Sequence, residues 1–92
     1  MTNKVALIIG AGDAIGSAIV RKFSERGLTV CATRRNGDKL TPLINEIKAT
    51  GRKAHAFACD ARNEESTKEL FAKIENEIGE IEVVVFNIGA NM

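Results

Sequence analysis

Val5-Ala6-Leu7-Ile8-Ile9-Gly10-Ala11-Gly12-Asp13-Ala14-Ile15-Gly16-Ser17-Ala18-Ile19 decides the fold. Five apolar residues run unbroken, three glycines follow within seven positions, and a helical pattern starts at once. An unbroken apolar run suits a strand buried on both faces. Glycines allow backbone angles and close approaches that other residues avoid. A helix leaving such a turn aims its unpaired N–H groups and the positive end of its dipole back at it. Strand, glycine turn and helix together make a site for a phosphate or pyrophosphate. The spacing Gly10-x-Gly12-x-x-x-Gly16 departs from the common G-x-G-x-x-G form, and the flanking strand and helix carry the reading.

Outward from this stretch, the 92 residues alternate strand and helix patterns. The reading places a first strand at 4–9 and a helix at 14–26 whose apolar face is Ile15, Ala18, Ile19 and Phe23, closed by Gly27. A second strand follows at 28–33, then a helix at 38–50 with Leu40, Leu43, Ile44 and Ile47 on one face. Pro42 falls in its first turn, where a missing N–H costs little, and Gly51 ends it. A third strand at 53–59 alternates Ala54, Ala56 and Ala58 with Lys53, His55 and Phe57, as an edge strand does. Asn63 is placed to cap a third helix reaching Ile78, with Glu64 and Glu65 in its first turn and Leu70, Phe71, Ile74 and Ile78 buried. A fourth strand, 81–86, is apolar throughout its Val83–Phe86 core.

The order βαβαβαβ with short turns indicates a parallel sheet with right-handed crossovers. With the first strand most buried and the third at an edge, the expected strand order is 3-2-1-4. That is a three-layer, Rossmann-type α/β fold, the first half of a doubly wound domain. The chain is read as one portion of such a domain. Its fourth strand expects neighbours on both sides, so truncation after strand four, or self-association through it in a homo-oligomer, is expected.

Composition narrows the partners. Lys and Arg number 13 against 12 Asp and Glu, which disfavours a nucleic-acid binder. No apolar run approaches the ~18 residues of a membrane helix, and no leader pattern opens the chain. A cytoplasmic protein is expected. Cys31 and Cys59 lie far apart with no C-x-x-C spacing and His55 is the lone histidine, so no metal site is expected and both thiols are read as small buried hydrophobes.

In a dinucleotide site of this kind, the end of strand two meets the adenosine ribose. An acid there favours NAD, and an arginine pairs with the 2′-phosphate of NADP. The positions here are Thr33, Arg34 and Arg35, so NADP(H) is favoured and NAD(H) stays open. Asp60, at the end of strand three, can accept from an adenine amino group or cap the helix that follows. Asn87 closes strand four in the same crevice and can bind neighbouring backbone. Asp13 is unhelpful to a phosphate and is read as facing solvent or capping the first helix.

These motifs resemble the N-terminal part of the short-chain dehydrogenase/reductase family. The family's T-G-x-x-x-G-I-G turn stands here as Ile9-Gly10-Ala11-Gly12-Asp13-Ala14-Ile15-Gly16, with Ile9 for the threonine, Ala14 for the second glycine and Gly12 as an extra. Its Asp after strand three matches Asp60, followed by Ala61. Its N-N-A-G appears as Phe86-Asn87-Ile88-Gly89. Its basic residue for NADP matches Arg35, and the acid of NAD-preferring members falls near Arg34. The resemblance implies hydride transfer between NAD(P) and a carbonyl or alcohol. It also implies cofactor contacts from Gly10, Gly12, Asp13, Ala14, Ile15, Gly16, Thr33, Arg34, Arg35, Asp60, Ala61, Asn87, Ile88 and Gly89. The family's acid is a tyrosine beyond the matched region, helped by a lysine, a serine and an asparagine. This chain has no tyrosine, so none of its residues is assigned a catalytic role. Two other readings remain. One is a non-catalytic nucleotide-binding module. The other is a phospho-acceptor signalling domain using Asp60, disfavoured because Gly10-Ala11-Gly12 stand where its paired acids are needed.

Overall fold

The computed structural model describes residues 3–11 and 14–87. Four parallel strands form one sheet in the order β3-β2-β1-β4, as expected. β1 (Lys4–Ile9) sits inside it, paired with β2 (Thr29–Arg34) and β4 (Glu80–Phe86). β3 (Ala54–Ala58) pairs only with β2. The unbroken apolar run of β1 has its cause in this position: Val5, Leu7 and Ile9 pack towards α3 (Glu64–Glu77), while Ala6 and Ile8 pack towards α1 (Ala14–Glu25) and α2 (Thr41–Lys48). Residues 5–9 are at most 1% exposed. Each large aliphatic side chain so placed contributes about 1.5–3 kcal/mol of transfer free energy.

α1 buries a different stripe from the expected one. Gly16, Val20 and Ser24 are buried, Ile19 and Phe23 are half-buried, Ala18 is exposed, and Ile15 is 65% exposed. The reason is steric. A Cβ on Gly16 would lie 2.7 Å from both the Gly10 carbonyl oxygen and the Ala11 Cα. The helix therefore meets the turn backbone-to-backbone at Gly16, and the line through positions 16, 20 and 24 faces the sheet. Apolar spacing alone favoured the neighbouring stripe because Gly and Ser carry no apolar signal.

The second helix also starts differently. Gly37–Leu40 form a 3-10 turn, and α2 proper begins at Thr41. Pro42 has no N–H to give to Asp38, and the Thr41 N–H bonds the Asp38 carbonyl instead, which tightens the turn. Leu40, Leu43, Ile44 and Ile47 are buried as expected. β2 lies one residue later than read, Leu28 falling in the turn before it. Asn63 caps α3, its Oδ1 accepting the Ser66 N–H at 3.0 Å. Leu70 and Ile74 are buried, while Phe71 and Ile78 are only half-buried. β4 has a register shift opposite Val5/Ala6, which sends Ile81 towards α3 and Val83 and Val85 towards α1. On the sheet's outer side Val84 is 36% and Phe86 57% exposed. No helix among the described residues is long and apolar enough to cross a membrane.

Cys31 is 0% exposed in β2, and burial pushes its thiol up to about 12. Only the thiolate attacks alkylating reagents. Iodoacetamide at about pH 8 is therefore expected to leave Cys31 unmodified in the folded protein and to label it in urea, as read by peptide mass. His55 is held below its ordinary value, first by burial and then by Lys48 and Lys53. The unfolded chain thus binds this proton more readily, so the stability associated with His55 is present above the ordinary histidine value of about 6.5 and lost as pH falls from there through the lower value of the folded chain. The urea midpoint should fall across that window, and His55→Gln should flatten the fall.

Candidate functional site

The carboxyl ends of the four strands meet along one edge of the sheet. β1 leaves that edge through Gly10, whose φ of +90° requires glycine. The N–H groups of Gly10 and Ala11 both turn sideways and donate to the Thr33 carbonyl, at 3.0 and 2.8 Å. The end of β2 is thereby fastened to the glycine turn. Thr33 itself is 0% exposed, and its hydroxyl lies 3.4 Å from the Ile8 carbonyl. Its side chain faces inward. On the other side, Asn87 donates its backbone N–H to Ile9 (2.8 Å) and its amide Nδ2 to the Gly10 carbonyl (3.0 Å). The amide binds neighbouring backbone, as read from the sequence, and joins the end of β4 to the same turn.

With two turn N–H groups directed at Thr33, α1 opens beside them. Ala14 and Ile15 there are exposed, and Gly16 is buried against the turn. Ser17 Oγ reaches the Ala11 carbonyl at 3.4 Å. Gly12, Asp13, Ile88 and Gly89, also expected in the site, lie outside the described residues.

Arg34 and Arg35 continue from β2 at this edge. The Arg34 backbone carbonyl accepts the Cys59 N–H at 3.0 Å, which anchors the exit of β3. Neither guanidinium has a hydrogen-bonded or ion-paired partner among the described residues, whereas Arg21 pairs with Glu46 at 2.6 Å and Arg62 with Asp60 at 3.4 Å. Two adjacent unpaired cations at a strand end suit an anionic ligand. Asp60 closes β3 from the other side. Its Oδ1 accepts the Arg62 N–H at 3.0 Å, and Asn63 takes the helix cap, so the cap alternative for Asp60 falls away. The carboxyl of Asp60 is held below its ordinary value, first by the Arg62 N–H, against an opposing effect of burial, with the Arg62 and Arg35 guanidiniums adding to the lowering. Ala61 beside it is half-buried on the α3 side of the core.

One feature escaped sequence reasoning. A cavity of about 380 Å³ opens beside Arg35, lined also by Asn36, Gly37, Asp38 and Ala58. The signal available was an Asn preceding Gly-Asp at a helix start, an ordinary capping pattern. No group of three His, Cys, Asp or Glu able to hold a metal ion occurs among the described residues.

The chain belongs to the short chain dehydrogenase family, which it matches over residues 4–92. It is 38% identical over 83 residues to a 2,3-dihydro-2,3-dihydroxybenzoate dehydrogenase of Bacillus subtilis, a match covering 90% of this chain and 32% of that protein. It superposes on a crystal structure of a short-chain dehydrogenase from Rhodopseudomonas palustris with a TM-score of 0.92 and 43% identity, over 100% of this chain and 43% of that one. A metagenomic short-chain oxidoreductase in complex with NADP superposes with a TM-score of 0.89 at 32% identity, over 98% of this chain and 41% of that one. The chain thus spans about a third of the length of the curated relatives it matches.

Gly16→Ala tests the close turn. The new methyl meets backbone at 2.7 Å, an overpacking cost of about 1–3 kcal/mol against a helix-propensity gain of at most about 1 kcal/mol. Urea unfolding should show net destabilisation. A more stable variant would show that helix and turn are not in backbone contact.

Proposed function

We propose that the chain is the NADP(H)-binding portion of a Rossmann domain in an oxidoreductase of the short-chain dehydrogenase type. Such an enzyme transfers hydride between the nicotinamide and a carbonyl or alcohol substrate. The observation that carries this reading is the pair of unpaired guanidiniums, Arg34 and Arg35, at the end of a strand whose Thr33 carbonyl is tied to the glycine turn. The tie holds an anion site at the start of α1 beside a cationic one at the end of β2, the two sites that a phosphorylated dinucleotide needs.

In this reading Ala14, Ile15 and Gly16, with Gly12 and Asp13, border the pyrophosphate, and Arg34 and Arg35 bind the 2′-phosphate. Asp60 accepts from the adenine amino group beside Ala61. Asn87, followed by Ile88 and Gly89, holds the turn through the Gly10 carbonyl. When bound, the nicotinamide supplies or takes the hydride. The 92 residues contain no tyrosine to act as the family's acid, and this favours a second reading of the chain by itself, as a nucleotide-binding module without turnover. The exposed outer edge of β4 is proposed as the surface that pairs with a further strand or a second copy. The buried free thiols Cys31 and Cys59 suit a reducing compartment, the cytoplasm.

Calorimetric titration with NADPH and NADH tests the reading. NADPH should bind more tightly. Replacing both arginines by alanine should cost about 1.5–3 kcal/mol per charged hydrogen bond lost, for NADPH only. Equal affinity of the unaltered chain for the two cofactors would overturn the arginine argument.

A further inference from the structure

We infer that the outer edge of β3 is a self-association surface, where the strand pairs antiparallel with β3 of a second copy of this chain about a two-fold axis through Ala56. β3 pairs only with β2. The Val30 N–H donates to the Lys53 carbonyl at 3.1 Å, and the Cys59 N–H donates to the Arg34 carbonyl at 3.0 Å. A parallel ladder takes its bonds from alternate residues of a strand. Residues 53, 55, 57 and 59 therefore face β2, and the peptide groups of Ala54, Ala56 and Ala58 face away from the sheet. No turn or helix among the described residues bonds them.

The edge lacks the features that keep strands apart. Edges are ordinarily blunted by charged residues, by proline or by a bulge. Residues 54–58 include no lysine, arginine, acid or proline, and their register with β2 runs without a shift. Ala56 and Ala58 are exposed, and their methyl side chains let another backbone approach.

The occupant follows from the way this edge complements itself. A two-fold axis at Ala56 sets Ala56 opposite its own copy, Ala54 opposite Ala58, and His55 opposite Phe57. His55 and Phe57 are half-buried on the α3 face, with ring centroids 6.5 Å apart. Pairing sets them against the same two rings of the second copy, and aromatic cross-strand neighbours of this kind stabilise a sheet. On the α2 face, opposite charges stand at the two ends of the strand. Lys48 shares a cavity of about 330 Å³ with Ala54, and Asp38 lines a cavity with Ala58. Neither has an ion-pair partner among the described residues. Antiparallel pairing brings the Lys48 end of each copy to the Asp38 end of its mate.

Sedimentation velocity of the 92-residue chain tests this over about 0.01–1 mM, because a contact the size of one short strand associates weakly. A monomer–dimer equilibrium is expected. Ala56→Pro removes an N–H that faces the second copy and none that faces β2, a change that an edge strand tolerates. It should lower the association constant more than about tenfold, since the two-fold axis loses the bond twice. Lys48→Glu and Asp38→Lys should each lower it about three- to tenfold, and the double variant should restore it. A thermal melt monitors folding. A chain that stays monomeric throughout overturns the inference. So does association that Ala56→Pro leaves intact, which would place the contact at another edge such as β4. Should Ala56→Pro lower the melting midpoint, the charge pair decides: single variants that associate normally, or a double variant that does not recover association, overturn the pairing.

Discussion

Burial of β1 on both faces is the constraint on which the rest of the molecule depends. A strand whose residues 5–9 are almost fully excluded from water needs a helix layer on each side and a strand at each edge. The chain supplies them in turn: α1 and α2 on one face, α3 on the other, β2 and β4 alongside. Once β1 is central, every connection must cross the sheet and return parallel, and the carboxyl ends of all four strands come to one edge. A site at that edge is therefore a consequence of where the core lies.

What rigidifies the edge is backbone hydrogen bonding. The Thr33 carbonyl accepts from two turn residues, the Gly10 carbonyl accepts from Asn87, and the Ile9 carbonyl accepts from the Asn87 N–H. Three strand ends are thus joined through one turn of a few residues. Buried or half-buried backbone groups left unpaired cost about 1–3 kcal/mol each, so the network resists local opening. It also directs chemistry, because N–H groups turned towards Thr33 are withdrawn from any ligand.

Charge is distributed unevenly around this frame. Lys4–Glu80 and Arg21–Glu46 are exposed pairs away from the edge, and such pairs contribute little to stability. At the edge Arg34 and Arg35 lack protein partners among the described residues, while Asp60 is occupied by its own Arg62. Arg35 adds its charge to that of Arg62 in holding the Asp60 carboxyl below its ordinary value, with no ion pair of its own.

The sequence by itself determined the sheet, its strand order, the glycine turn and the family, because these follow from apolar periodicity, from glycine and from residue types at turns, all of which are local. Asn63 as a cap and Pro42 near a helix start were legible for the same reason. The tertiary structure alone decided which stripe of α1 is buried, since that depends on Gly16 lying against the backbone of Gly10 and Ala11, a contact between side-chain-free atoms that no hydrophobic pattern records. It decided that Thr33 faces inward and acts through its carbonyl, and that Asp60 turns to Arg62 while Asn63 takes the cap. It also decided that β4 shifts register beside Val5 and Ala6. Each of these rests on where backbone groups meet across the sheet edge, and a linear pattern of side chains carries no record of such meetings.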